Sequence, residues 1–125
     1  MDVVRAVFAA FAERDVDGVL AHVDAEVVFR PVTGDYAGRT EPYRGHDGMR
    51  QYFRDVAAIW DDLRLTPREF RQSGETILVT GSVSARSPAR VVAGSTGWIW
   101  HVRRGKVVYA RVYASAAEAI AAFDE

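Results

Sequence analysis

The chain has 125 residues, 49% apolar and 26% charged, with sixteen basic and seventeen acidic side chains and a formal net charge of −1. This composition fits one globular domain spanning residues 1–125 and gives no basic excess for nucleic acid or an anionic membrane. No cysteine is present, which excludes disulfide staples, thiolate catalysis and cysteine-held metal. No apolar run approaches the ~20 residues of a membrane span and no leader-like segment opens the chain, so a cytoplasmic location is expected.

Val4, Val7, Phe8 and Phe11 fall at i, i+3, i+4 and i+7, which predicts an amphipathic helix over residues 3–14. Asp15 is placed to cap a second short helix running to about Val23. "EVVFRPV" (26–32), β-branched and aromatic, reads as a strand. The three glycines and one proline of residues 33–45 mark a loop. Met49, Tyr52, Phe53, Val56 and Trp60 then repeat at helical spacing, with Arg50, Gln51, Arg54 and Asp55 on the opposite side.

From Leu63 the period changes to two. Strands are predicted over 63–72, 75–86, 91–103 and 106–114, with Ser73-Gly74 and Arg104-Gly105 as hairpin turns. Ser115 and Glu118 stand at capping-box spacing before a last short helix. Helices followed by consecutive antiparallel strands predict an α+β domain with helices on one face of a curved sheet. Trp98 and Trp100, two apart on one strand, share a face. There they either fill a core or line a hole.

Four stretches, "FAERDVDGVLAHVDAEVVFRP" (11–31), "YRGHDGMRQYFRDVAAIWDDLRL" (43–65), "WIWHVRRGKVV" (98–108) and "VYASAAEAI" (112–120), carry a resemblance to a known family. In them the chain resembles the SnoaL-like, polyketide cyclase-like branch of the NTF2-like superfamily. The resemblance implies a cone in which helices and a concave sheet enclose one deep apolar pocket, and a homodimer formed through the sheet. It implies a small, mostly apolar ligand, planar or acidic, and no cofactor. The function expected is ligand binding, or cyclase- or isomerase-like catalysis; the alternative is a non-catalytic binder or a structural dimer whose tryptophans fill the pocket.

Aligned on that family, the ketosteroid isomerase set is missing: its tyrosine falls on Val7, its base on Arg30 and its second acid on Trp98. An arginine, protonated at physiological pH, cannot serve as a base. The Asp–Arg–Asp set of the epoxide hydrolases is also absent, and Arg54-Asp55 reads as a solvated pair. Where many relatives have Asp before the last helix this chain has Ser115, read as a cap.

The alignment turns Trp98, Trp100 and Val102 inward with Arg30, Val28 and Val32, and places Val108, Ala110, Val112 and Ala114 inward on the last strand. His22 is then either a hydrogen-bonded core histidine or an acid–base group. Arg30 either clamps an anion or reaches water from a strand end. His46 is expected at a cap or in solvent, and His101 on the outer face. Phe11, Phe53 and Trp60 close the helix side, and Tyr36 and Tyr43 form the mouth. Tyr109, Arg111 and Tyr113 form the outer, dimer-forming stripe. The histidines fall on separate elements, so no metal site is expected.

Overall fold

The computed structural model describes residues 2–31 and 41–125. Helix α1 (Asp2–Ala12) buries the stripe Val4, Val7, Phe8 and Phe11. It ends where Arg14 turns into the left-handed region at φ 55° and its N–H bonds back to the Phe11 carbonyl. Asp15 caps α2 (Val16–Leu20) by accepting from the Gly18 N–H. That helix stops short of the expected Val23: the His22 N–H folds back to Val19, and β1 (Val23–Arg30) begins in β-branched sequence. A two-residue strand β2 (Tyr43–Arg44) lies within the stretch expected to be loop. Helix α3 (Gly45–Ile59) then buries Met49, Tyr52, Phe53 and Val56, with Trp60 as its extended C-cap.

The meander matches its sequence pattern to within one residue at every boundary: β3 (Asp62–Ser73), β4 (Thr76–Ser87), β5 (Arg90–Arg103) and β6 (Lys106–Tyr113). At the β5–β6 turn Arg104 and Gly105 both take positive φ, 56° and 76°, as a two-residue turn matched to strand twist requires. The described strands form one sheet in the order β2-β1-β6-β5-β4-β3. Its pairings are antiparallel except β1–β6, which is parallel, so the last strand returns beside the first. The β3–β4 register shifts between Pro67 and Glu69. There a Cβ on Gly81 would lie 2.0 Å from the Thr66 carbonyl oxygen. This close backbone approach at a bulge is what curves the sheet.

Helices α1, α2 and α3 cover the concave face, where most of the core collects around Val27, Phe29, Ile77, Val79 and Trp98. The last helix, α4 (Ala116–Phe123), departs from the expectation of helices on one face. It covers the convex face, packing Ala119 on Leu78 and Ile99. The Ser115 hydroxyl accepts from the Glu118 N–H at 3.2 Å, the cap read from sequence. Ile99, which alternates with Trp98 and Trp100 and so points to the convex side, is buried by this helix. Among the described residues no helix is long and apolar enough to cross a membrane.

Candidate functional site

Pairing across β5–β6 sets the site. Trp98 lies opposite Val112 and Trp100 opposite Ala110, so each indole faces a smaller side chain on the concave side. Phe8 of α1 meets both indoles edge-on, at centroid distances of 4.9 and 5.4 Å. Such contacts contribute about 0.5–1.5 kcal/mol each beyond area burial. The rings still leave space. An apolar cavity of about 190 Å³ is walled by Trp98, Trp100, Phe11, Phe53, Trp60 and Val112, with Val7, Phe29 and Ala110 among the other contributors. The tryptophans are therefore both core and wall.

The chemistry of that wall is spare. Among the described residues none that lines the cavity is Asp, Glu, His, Lys or Arg. The Thr96 hydroxyl, buried in the wall, donates to the Tyr113 carbonyl oxygen at 3.0 Å and keeps its lone pairs. The Trp100 indole N–H is buried with no hydrogen-bond partner among the described residues. A buried donor left unmatched costs roughly 1–3 kcal/mol. Thr96 was missed by sequence reasoning, although its spacing of two from Trp98 puts it on the same face.

The polar residues expected in the pocket lie elsewhere. Arg30 is exposed and pairs with Arg111 of β6, while its neighbour Phe29 pairs with Ala110 and points inward. The parity expected for β1 is thus reversed, so Val28 and Arg30 belong to the convex side. His22 sits in the turn after α2, half-buried and outside the cavity wall, its carbonyl accepting from the Val107 N–H at 3.0 Å.

Tyr43 is no mouth residue. It is fully buried, stacks edge-on to Tyr52 at 5.4 Å, and donates its hydroxyl to Asp55. Asp55 also accepts from Gln51 at 2.7 Å, so it is a half-buried strut rather than half of a solvated pair. Tyr36 and Val32 lie outside the described residues.

On β6 the register shifts between His101 and Val102, which places Val107 rather than Val108 in the wall. The bulge adds one residue and flips the alternation upstream of Tyr109. The His46 Nε2–H donates to the Val23 carbonyl at 3.0 Å, tying α3 to β1. His101 is exposed on the convex face, edge-on to Tyr109 at 5.3 Å. Among the described residues no cluster of His, Asp or Glu could hold a metal ion.

An α+β cone with helices over a curved, mostly antiparallel sheet and one apolar cavity between them is the NTF2-like architecture. The SnoaL-like domain model matches residues 4–110, and the chain belongs to that family. An NTF2-like protein of unknown function from Burkholderia pseudomallei is similar at 29% identity and a TM-score of 0.83, covering 97% of this chain and 94% of its own. TerC, crystallised with polyporic acid, is 22% identical with a TM-score of 0.82, over 99% of this chain and 97% of its own. A putative polyketide cyclase from Sinorhizobium meliloti is 17% identical with a TM-score of 0.74, over 90% and 94%. No curated protein matches.

Proposed function

We propose that the protein binds a small organic molecule whose apolar, uncharged part enters the cavity beside Trp98 and Trp100. The observation that carries this reading is an apolar cavity of about 190 Å³ walled by Trp98 and Trp100. Ligand pockets usually measure about 300–1,000 Å³, whereas an apolar cavity of about 150 Å³ admits benzene. The space here suits a single ring or its aliphatic equivalent, with a carbonyl or ether oxygen meeting the indole N–H. Fluorescence of the tryptophans, titrated with toluene and benzaldehyde, tests the reading. Both ligands are expected to bind, and Trp100→Phe to weaken benzaldehyde about fivefold, the worth of one neutral hydrogen bond, while leaving toluene unchanged. No saturable response to either ligand would refute it.

Turnover by His22 and Arg30 gains no support from their positions, since neither borders the cavity. A cyclase-like role would rest on holding a flexible substrate in a reactive shape, without side-chain proton transfer. The solved relatives lend this role some weight, one being a putative polyketide cyclase and another crystallised with polyporic acid.

A homodimer through the convex face is the second element of the reading. Val28, Tyr109, Arg30 and Arg111 lie side by side there on the paired strands β1 and β6. Tyr113 contributes less, being packed beside α4 with the Arg111 guanidinium 4.7 Å over its ring. Light scattering at micromolar concentration is expected to give twice the chain mass; a monomer would remove this part of the reading.

A further inference from the structure

On its helix side the cavity has an outer neighbour. Phe8, Phe11, Phe53, Trp60, Leu63 and Leu65 line both the cavity and an outer groove of about 1280 Å³ between α1, α3 and the start of β3. The apolar space and the groove thus share one wall. The groove, unlike the cavity, is charged: Arg14, Arg50, Arg54 and Arg64 line it, against Asp61 and Asp62.

Neighbouring carboxylates neutralise half of the arginines. Arg50 pairs with Asp47 at 2.8 Å and Arg64 with Asp62 at 3.2 Å. Among the described residues Arg54 donates to the neutral Gln51 amide alone, at 2.9 Å. Arg14 is held differently. Its guanidinium stacks 4.3 Å over the Phe11 ring and donates to the carbonyls of Phe11 and Leu63, at 2.6 and 2.5 Å. Those bonds fix it against two residues of the shared wall. Among the described residues neither Arg14 nor Arg54 has a carboxylate partner. A guanidinium has five N–H donors, so Arg14 keeps donors beyond those two bonds. Arg14 also holds φ 55°, an uncommon conformation for a residue with a side chain.

We infer that the groove receives the anionic end of the ligand, a carboxylate bound by Arg14 with Arg54, while the apolar end fills the cavity. The inference rests on the cavity reading above. It moves anion recognition from Arg30, which lies on the other face of the sheet, to the rim of the cavity itself. The ligand class is an amphiphilic monocarboxylate: one compact apolar body and a short spacer crossing the Phe11–Leu63 wall. Asp61 stands on the same rim and disfavours a second negative charge.

Phenylacetate, phenylpropionate and phenylbutyrate, each beside its primary alcohol, test this by calorimetry on the intact protein at low and moderate salt. At least one acid is expected to bind about tenfold more tightly than its alcohol at low salt, the preference shrinking as salt screens the exposed arginines. Arg14→Gln is expected to abolish the preference and leave the alcohol's affinity within twofold; Arg54→Gln reduces the preference by a smaller factor and guards against misfolding of the first variant. Acid and alcohol binding equally in the unmodified protein would overturn the inference and leave the cavity reading standing. Neither acid nor alcohol binding, with toluene also unbound, would overturn both.

Discussion

The two faces of the sheet are built from the same strands to opposite ends. On the concave side, Trp98 and Trp100 stand over Val112 and Ala110, and large against small leaves a void. On the convex side, Gly97 brings α4 down until a Cβ there would lie 2.3 Å from that of Ala119, and no space remains. One residue of β5 separates a cavity wall from a closed seam. Side-chain volume, not backbone geometry, decides which face can hold a ligand.

The largest way to break this contrast is Trp98→Ala. Trp98 is 2% exposed and packs on Phe8, so chemical denaturation should show a loss of about 3–5 kcal/mol. A loss under about 1 kcal/mol would mean that the indole is wall without being core. Next comes Gly97→Val, which must push α4 off the sheet and should cost about 2–3 kcal/mol, with Leu78 and Ile99 amides losing exchange protection. Unchanged protection would show that the seam is looser than its geometry implies.

Ala110→Val fills space on the cavity side and should change stability by less than about 1.5 kcal/mol while weakening toluene severalfold. A destabilisation of several kcal/mol would mean that there is no void to fill. The smallest effect is Ser115→Ala, which removes the α4 cap for about 1 kcal/mol and should leave toluene binding on the opposite face intact, as thermal melts with and without ligand would show.

Much of the fold was legible because β3 to β6 are long and alternate cleanly, and because their turns carry glycine where positive φ is needed. Trp98 and Trp100 share a face by that alternation, and the family alignment turned them to the side on which the cavity lies. Arg30 was placed on the wrong face. Val27, Val28 and Phe29 are three apolar residues in a row, so alternation fits either parity, and only pairing to Ala110 and Arg111 fixes it. Val108 was misplaced because a bulge leaves no mark in composition.

His22 was put on a helix that ends two residues earlier, and α4 on the wrong face, since a short Ala-rich helix shows little of which surface it will meet. Of the groove, only the residue types were visible. That Arg14 reaches Leu63, far along the chain, is tertiary information.

The parallel pairing of β1 with β6 has a bearing on how the molecule assembles. Val28 meets Tyr109 and Phe29 meets Ala110 across most of the length of the chain, whereas β3 to β6 are joined by tight local turns. Closing a long loop costs more entropy than zipping a hairpin, so the meander can gather before its first strand docks. Trp98 and Trp100 come from the meander, but Phe29 and Phe8 come from the early chain. The hollow therefore exists only once the two ends of the polypeptide have met, and a molecule lodged in it holds the beginning and the end of the chain together.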